Sequence, residues 1–443
     1  MSNIRIIQGH VMAGLKEFPD NHFHSCVCDP PYEFGFMGKE WDKTGIAYSV
    51  EMWREVRRVL KPGAHLLAFG GSRTYHRMAC AVEDAGFEIR DQIMWLYGSG
   101  FPKSLDVSKA IDKAEGAIRE VVGKKGGRSG DPKQDIRGGN FIHGPADRID
   151  CSALTAPATE AARQWEGWGT ALKPAHEPIV VARKPLEGTV IKNVLKWGCG
   201  ALNIAGCLIT FERGSIGDRI DGPKRKSRGT DIWCNDDGSF DLPRNYKEPA
   251  GRWPANVIHD GSEEVVAEFE KYGERKAGAG NTGHEPSLPG KGEVIYGFRK
   301  RVFNPSYGDT GSASRFYYCA KASPAERDWG LEFRKPLQRD ESRKEGNPGG
   351  DNPRNRGVNP VKNNHPTVKP LALMRYLVRL VTPPGGVILD GFCGSGTTLI
   401  AAAQEGFCAV GIDLEMDNCQ LAERRCRGHL GMLSEILINC KQT

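Results

Sequence analysis

Two consecutive prolines, Pro30 and Pro31, determine where one strand of this chain must end. They follow the apolar run CVC at 26–28, which is typical of a buried strand, and proline cannot donate a backbone hydrogen bond or continue a central strand. Asp29 and Tyr32 are therefore predicted to lie on a stiff turn at the carboxyl end of a strand. In open α/β sheets, ligands bind at that edge.

Both ends of the chain alternate apolar runs with amphipathic stretches, which is typical of strands joined by helices. After about residue 362, Pro370 suits the first position of a helix, and the strand-like runs VILD and AVGIDLE follow. The pattern predicts an α/β fold with a mostly parallel sheet. The elements predicted in the first hundred residues are a helix capped by Ser49 and ended at Lys61-Pro62-Gly63, a strand at 65–71, a helix ended by Gly86 and a strand at 89–98.

The middle of the chain loses this alternation. Residues 102–172 are predicted to form a mobile, basic loop that contains a helix over 104–123, and a strand returns at 176–185. Residues 186–362 are rich in glycine, proline, arginine and lysine, with the basic clusters KRKSR and FRKR. Such clusters are suited to contacts with phosphates.

Charge and cysteine content narrow the class of protein. A net charge of +6 over 443 residues is modest and agrees with a polyanionic partner without requiring one. The 13 cysteines are odd in number and include no Cys-x-x-Cys pair, which predicts reduced thiols and no metal site. No apolar stretch is long enough to span a membrane, so a cytoplasmic protein without membrane contact is expected.

The stretch VILDGFCGSGTTLIAAA at 387–403 has the pattern of a strand, a glycine-rich turn and a helix. Such a turn presents backbone N–H groups and lets a ligand come close to the chain. An NTP-binding P-loop would need lysine where Thr397 stands, and the dinucleotide fingerprint would need glycine where Leu399 stands. Nucleotide hydrolysis and NAD binding are therefore disfavoured.

Two acidic residues near this turn suggest which ligand it takes. Asp413, at the end of the next strand, can accept hydrogen bonds from two ribose hydroxyls. Asp390, directly before the turn, can pair with a cationic amino group. A ribose and an ammonium without phosphates describe S-adenosylmethionine.

Four motifs together give a specific resemblance. The segments DPPY, DGFCGSGTT, VGID and HPTVKP resemble those of the amino-group DNA methyltransferases, which methylate N6 of adenine or N4 of cytosine. DPPY precedes the glycine turn in the chain, which is similar to the β group of this family, and the segments GRWPANVIHD at 251–260 and SRFYYCAKAS at 314–323 resemble those of its phage and prophage members. Gly391 departs from the pattern, because the family usually has proline there.

The resemblance implies a class I S-adenosylmethionine-dependent methyltransferase fold, doubly wound and circularly permuted, with an inserted target-recognition region. Residues 1–185 and 363–443 would be the catalytic and cofactor-binding halves of one domain, and residues 186–362 would be the target-recognition region. The partner would be double-stranded DNA in a bacterium or a phage-infected host, in a restriction-modification setting, and a homodimer is the assembly that the resemblance suggests.

The predicted site residues fall into three groups, two from the motifs and a DNA-binding group from the basic clusters KRKSR and FRKR. The catalytic group is Asp29, Pro30, Pro31 and Tyr32; the cofactor group is Asp390, Phe392, Gly394, Ser395, Gly396, Thr397 and Asp413, with Thr367 and Lys369 of HPTVKP on the cofactor-side wall; and the DNA-binding group is Arg225, Lys226, Arg299 and Lys300.

The composition of DPPY suits methylation of an exocyclic amine. The lone pair of such an amine is delocalised into the ring, and acceptors on its N–H groups favour a localised lone pair and stabilise the developing positive charge. The Asp29 carboxylate and the Pro30 carbonyl can be those acceptors, and Tyr32 can stack on a base that is flipped out of the duplex. N6-adenine is the predicted target. N4-cytosine and a catalytically idle DNA-binding protein that retains cofactor are the alternatives.

Overall fold

The structure of the chain is a computed structural model that describes residues 3–34, 42–98, 100, 104–124, 153–209, 251–273, 275–276, 310–320, 324–331, 363, 368–430 and 435–440. The strands in these residues are β1 (Asn3–Gln8), β2 (Phe23–Cys28), β3 (Leu60–Phe69), β4 (Glu88–Leu96), β5 (Val121–Lys124), β6 (Ala153–Thr155), β7 (His176–Arg183), β8 (Val257–His259), β9 (Arg275–Lys276), β10 (Thr310–Gly311), β11 (Tyr318–Cys319), β12 (Val387–Asp390), β13 (Cys408–Asp413) and β14 (Glu435–Cys440). The α-helices are α1 (Val11–Leu15), α2 (Val50–Val59), α3 (Tyr75–Asp84), α4 (Val107–Ala114), α5 (Glu160–Gln164), α6 (Val190–Trp197), α7 (Glu263–Glu270), α8 (Pro324–Asp328), α9 (Leu371–Val381), α10 (Thr397–Gln404) and α11 (Met416–Leu430).

Ten of these strands form one mixed sheet in the order β11-β8-β4-β7-β3-β2-β12-β13-β1-β14. Every neighbouring pair is parallel except the two pairs that β7 makes with β3 and β4. The amino-terminal strand β1 lies between β13 and β14, so the two ends of the chain complete one sheet. The predicted α/β class and the permuted order of the two halves are confirmed.

The sheet is covered on both faces, which explains why its strands read as continuous apolar runs. Neighbouring residues of one strand enter two different cores: Val27 packs with α9 and α10, while Cys26 and Cys28 pack with α2 and α3. The same alternation holds in β3, where Leu67 faces the first core and Leu66 the second. A side chain such as Leu67, which is 0% exposed, contributes about 1.5–3 kcal/mol by its burial.

The amino-terminal and carboxyl-terminal segments of the chain meet at the pairing of β2 with β12. Ser25 pairs with Ile388 and Cys26 with Leu389, in parallel. The two strands therefore end at the same edge of the sheet, and the turns that follow them start side by side. This edge is the one at which open α/β sheets bind ligands.

The helix predicted after Ser49 is confirmed, but the strand that follows starts earlier than predicted. The Ser49 hydroxyl accepts a hydrogen bond from the Met52 amide at 3.2 Å, and α2 follows. β3 begins at Leu60 and takes in Lys61-Pro62-Gly63, which the sequence predicts as a break. A register shift in the pairing of β2 with β3 accommodates Pro62, and Gly63 adopts a φ of 77° there.

Residues 99–175 and 333–364 form a second compact unit. Its described part contains α4, α5 and the antiparallel pair β5 and β6, so the predicted extent of one long helix over 104–123 is wrong, while the mobility of 102–172 stays a prediction. The helix ends at Ala114 because Gly116 leaves the helical conformation, with a φ of 67°. The Asp112 carboxylate, 1% exposed, ties α4 to α5 by accepting the Thr159 amide at 3.0 Å.

The first unit comprises Met1–Gly98, His176–Glu332 and His365–Thr443. It therefore includes β8, from the segment predicted to recognise the target, which pairs in parallel with β4. The functional boundaries at 185 and 362 stay predictions. Over the described ranges, none of the helices combines the length and the apolar character that crossing a membrane requires.

Candidate active site

Three carboxylates lie at the edge where three neighbouring parallel strands end. Asp29 follows β2, Asp390 ends β12 and Asp413 ends β13. The strand pairings place them side by side, as the sequence predicts for ligand-binding residues. Such a concentration of negative charge favours a ligand that carries positive charge.

The two oxygens of the Asp29 carboxylate differ in their contacts. Oδ2 accepts a hydrogen bond from the Lys369 ammonium at 2.6 Å. Oδ1 is buried and has no hydrogen-bond partner among the residues that the structure describes. A buried acceptor without a partner costs about 1–3 kcal/mol, which indicates that something outside the described chain satisfies it.

Lys369 is placed differently from what HPTVKP suggests. The sequence predicts it in the cofactor group, yet its ammonium lies on Asp29 and 3.5 Å from the Glu177 carboxylate. Burial opposes its charge, but the carboxylates of Asp29 and Glu177 outweigh burial and raise the Lys369 pKa. Its role toward the cofactor stays a prediction.

Tyr32 is held at both ends. Its hydroxyl donates to the Glu177 carboxylate at 2.8 Å, and its backbone carbonyl accepts from the Thr74 hydroxyl at 2.8 Å. Burial, followed by the negative charges of Asp29 and Glu177, raises the Tyr32 pKa well above its ordinary value. Tyr32 is therefore a neutral phenol that acts as a donor to Glu177.

Two acidic side chains, Asp42 and Glu33, bond the backbone amides that follow Tyr32 and Thr44. Asp42 accepts the amides of Glu33 and Phe34 at 2.9 and 3.1 Å, and the Glu33 carboxylate accepts the Gly45 amide at 2.8 Å. Glu33 has a φ of 59°, a conformation that non-glycine residues rarely adopt. The Asp42 bonds hold this strained residue and so fix the direction in which the catalytic turn leaves the strand.

Glu177 is a site residue that sequence reasoning misses. It lies at the start of β7, whose direction is opposite to that of its neighbours, so its first residues reach the edge where the parallel strands end. Its side chain is only 19% exposed. An acidic residue at the beginning of a buried apolar strand is the signal in the sequence, but only the direction of β7 shows where it lies.

The glycine turn is tied to the end of β13. The Gly394 amide donates to the Asp413 carboxylate at 2.8 Å, and the same carboxylate accepts from the Glu415 amide and the Asn418 side chain, each at 3.0 Å. Gly396 caps α10 with a φ of 78°, and a Cβ there would lie 2.8 Å from the Ala422 Cβ. Glycine is required at this position by both backbone conformation and space.

Arg425 of α11 holds the turn from inside the protein and is the second residue that the sequence does not reveal. Its guanidinium, 1% exposed, donates to the Ser395 carbonyl at 2.6 Å, to the Ser395 hydroxyl at 3.0 Å and to the Thr397 hydroxyl at 3.1 Å. The side chains of Ser395 and Thr397 are therefore bonded to the protein. Their predicted contacts with cofactor stay predictions.

Asp390 provides a test of whether a cationic cofactor fits. Its side chain is 2% exposed and accepts the Phe392 amide at 3.0 Å. Burial is the main cause that raises its pKa to about 7, and the charges of Asp29 and Asp413 add to it. An ammonium or sulfonium placed near this carboxylate would offset that cost, so the residues present fit S-adenosylmethionine.

The structure thus brings together the predicted catalytic group and the described part of the cofactor group. Phe392 packs against the core that contains α2 and α3. Thr367, Arg225, Lys226, Arg299 and Lys300 lie outside the described residues. Within the described ranges, no three or more His, Cys, Asp or Glu side chains are grouped so that they could hold a metal ion.

Comparison with known proteins places the chain among DNA methylases. The model of a family described as DNA methylase matches residues 23–424. The type II methyltransferase M.HindIII of Haemophilus influenzae is 27% identical over 158 residues, which are 35% of this chain and 38% of the relative. The DNA adenine methyltransferase YhdJ of Escherichia coli is 36% identical over 75 residues, 17% of this chain and 26% of the relative.

These matches cover less than half the length of either relative. Among solved structures, the PvuII DNA methyltransferase (cytosine-N4-specific) aligns with a TM-score of 0.40 and 12% identity over 96% of this chain and 86% of that chain. The M1.HpyAVI complex with S-adenosylmethionine aligns with a TM-score of 0.35 and 13% identity over 96% of this chain and 99% of that chain.

Proposed function

Since this chain belongs to the DNA methylase family of N6- and N4-acting enzymes, we propose that it methylates the exocyclic N6 amine of adenine in duplex DNA. The observation that carries the proposal is the Asp29 carboxylate at the sheet edge, with one oxygen on Lys369 and a buried Oδ1 that has no partner in the described chain. An amine N–H is the donor that this oxygen lacks.

S-adenosylmethionine is the cofactor, in accord with the family. When bound, it supplies a methyl group on a positively charged sulfur. Asp390 would take the amino group of the cofactor, Asp413 would take its ribose hydroxyls, and the turn that follows Asp390 would lie along it. The burial of Asp390 supports this assignment, because burial disfavours its charge and a cation placed beside it would stabilise the ionised carboxylate.

Asp29 and Pro30 prepare the target amine. Oδ1 of Asp29 accepts one N–H of the amine and the Pro30 carbonyl accepts the other, which localises the nitrogen lone pair and stabilises the charge that develops on methylation. The buried ring of Pro30 holds both acceptors in place, so little reorganisation is needed at the moment of reaction.

Tyr32 supplies the surface for a flipped base. An amine inside a duplex is out of reach, so the base must leave the stack and be held elsewhere. Stacking of a base on an aromatic ring contributes about 1–3 kcal/mol. The bond from Tyr32 to Glu177 fixes the ring before the base arrives.

The choice of adenine over cytosine depends on the resemblance of DPPY. Family members with serine in place of this aspartate more often act on cytosine, and the chain has Asp29. Among the related proteins, YhdJ is named as an adenine methyltransferase and the PvuII enzyme as cytosine-N4-specific. N4-cytosine is therefore the alternative that the experiment must separate.

Labelled S-adenosylmethionine and duplex DNA provide the test. Nucleosides released from the treated DNA should contain labelled N6-methyladenine with the wild-type protein, and no label with D29A at equal DNA binding. Labelled N4-methylcytosine would replace the adenine assignment, and DNA binding without any label would favour an idle DNA-binding protein.

Residues 186–362 are proposed to recognise the target sequence, because the basic clusters around Arg225, Lys226, Arg299 and Lys300 fall there. Replacing Arg225 and Lys226 with alanine should weaken binding to all sequences alike and flatten its salt dependence. Exchange of the segment with that of a relative should change the methylated site. A homodimer and a cytoplasmic location also stay predictions.

A further inference from the structure

The charged groups around Asp29 form a connected set that DPPY alone does not explain. Lys369 lies between two carboxylates, 2.6 Å from Asp29 and 3.5 Å from Glu177. Glu177 also accepts the Tyr32 hydroxyl at 2.8 Å. One acidic side chain therefore contacts both the stacking residue and the cation that holds the catalytic carboxylate.

This arrangement is unusual for a group that only stabilises the fold. The side chains of Lys369, Asp29 and Glu177 are 8%, 18% and 19% exposed. Placing two carboxylates and one ammonium in so little water is costly, and apolar side chains of the same size are often as stable or more stable. The set also carries one more negative than positive charge, which suits a site where positive charge develops on the substrate.

We propose that Glu177 is a positioning residue of methyl transfer, which fixes the Tyr32 ring through its hydroxyl and fixes Asp29 through Lys369. This inference rests on the proposed function. Because the Lys369 ammonium occupies Oδ2 of Asp29, Oδ1 is kept for the amine of the target base. Because Glu177 holds Lys369 from the other side, the ammonium stays on Oδ2. The start of the antiparallel strand β7 is what brings Glu177 to this edge.

Activity measurements on E177A separate positioning from binding. Turnover should fall about 10- to 100-fold, because a misplaced acceptor and a free ring lose alignment with the reacting atoms. The affinities for S-adenosylmethionine and for DNA should stay within about twofold, since the proposal has Glu177 act only through Tyr32 and Lys369. E88Q is the matched control, because Glu88 also joins β4 to β7 by bonding to Arg183 and should leave turnover unchanged.

A double-mutant cycle tests the route through the Tyr32 hydroxyl. Y32F keeps the ring and removes the bond to Glu177. If Glu177 acts through that bond, the losses of Y32F and E177A should not multiply in the double variant. E177Q keeps a side-chain oxygen that can accept the Tyr32 hydroxyl but removes the negative charge beside Lys369. Its turnover should fall less than that of E177A. E177Q should also fold if E177A does not.

A signal that does not depend on activity completes the test. In protein with 3-fluorotyrosine, the fluorine resonance that Y32F removes identifies Tyr32 among the 11 tyrosines. This resonance should shift in E177A and in E177Q but not in E88Q.

The failures of the two proposals are distinguishable. Two results with an active wild type would overturn the role of Glu177 and leave the proposed function intact. One is that E177A and E177Q both keep turnover within about twofold of the wild type. The other is that the losses of Y32F and E177A multiply in the double variant. An unshifted Tyr32 resonance in E177A would overturn it as well. A folded wild type that transfers no methyl group would overturn the proposed function, and this inference with it.

Discussion

The two turns that build the site differ in how their polar groups are satisfied. In the glycine turn, Asp413 accepts three hydrogen bonds and Arg425 bonds Ser395 and Thr397 from α11. In the catalytic turn, Asp29 keeps one buried oxygen without a partner in the described chain. The carboxylate oxygens of Asp413 are thus bonded within the protein, whereas Oδ1 of Asp29 is free to accept a donor from outside the described chain, which in the proposed function is the target amine.

This difference indicates which of the two turns gives up folding stability for function. An unpaired buried acceptor costs about 1–3 kcal/mol, whereas acceptors that are bonded within the protein, such as the Asp413 carboxylate, do not carry that cost. Buried polar groups that the fold leaves without hydrogen-bond partners are expected at functional sites. Variants of the catalytic turn should therefore change rate, and variants of the glycine turn should change cofactor affinity and stability.

The largest effect is expected at Asp29. D29A removes the acceptor that acts on developing charge, so the rate of methyl transfer should fall about 10²–10³-fold or more while DNA and cofactor affinities change little. Single-turnover rates with labelled cofactor measure this directly. Residual activity within about tenfold of the wild type would contradict the role of Asp29.

A smaller effect, on binding rather than rate, is expected at Asp413. D413A loses charge-assisted bonds to the ribose and also releases the Gly394 amide, so cofactor affinity should fall about 10- to 100-fold with DNA affinity unchanged. Calorimetry with S-adenosylmethionine checks this. Glu415→Ala is the matched control, and if it weakens binding instead, the ribose contact belongs to Glu415.

Arg425 tests whether the glycine turn is held from inside. R425M leaves the Ser395 carbonyl and the Ser395 and Thr397 hydroxyls buried without their donor, so the free energy of unfolding should fall by about 1–3 kcal/mol. Cofactor affinity should fall a few-fold. Arg424→Met is the control, because Arg424 is exposed. Equal denaturation midpoints for the two variants would show that the Arg425 bonds do not stabilise the turn.

The smallest effect is a pH dependence that comes from Asp390. Its pKa is raised to about 7 by burial, so its contribution to stability is fully present below the ordinary carboxyl pKa and is lost as pH rises through about 7. A cationic ligand binds the ionised form, so cofactor affinity should rise a few-fold between about pH 6 and pH 8. D390N should bind more weakly and show no such rise. If the affinity of the wild type for S-adenosylmethionine does not change over this pH range, Asp390 does not bind the amino group of the cofactor.

Much of the fold can be predicted because each local signal agrees with the tertiary structure. Ser49 caps α2, and the strand-turn-helix pattern at 387–403 gives β12 and α10. The predicted start of β3 is wrong because a proline in a central strand is tolerated only by the register shift at β2. The long helix over 104–123 is wrong because apolar periodicity continues past Gly116, where the backbone turns.

The residues that position the site could not be predicted, since they come from elements distant in sequence. Glu177 reaches Tyr32 only because β7 is antiparallel, and Arg425 reaches Ser395 only because α11 packs against α10. Motif residues such as Asp29 can be recognised from the residues next to them in the sequence, which have the composition of a turn. Glu177 has only a weak local signal, its place at the start of an apolar strand, and that signal does not show which residues it contacts.

The most direct measurement of the central claim is a crystal structure of the protein with S-adenosylhomocysteine and a duplex that contains its target. The account predicts that Oδ1 of Asp29 accepts the exocyclic amine of a flipped base while Lys369 stays on Oδ2 and Tyr32 stays bonded to Glu177. A flipped base whose amine contacts neither Asp29 nor the Pro30 carbonyl would contradict it.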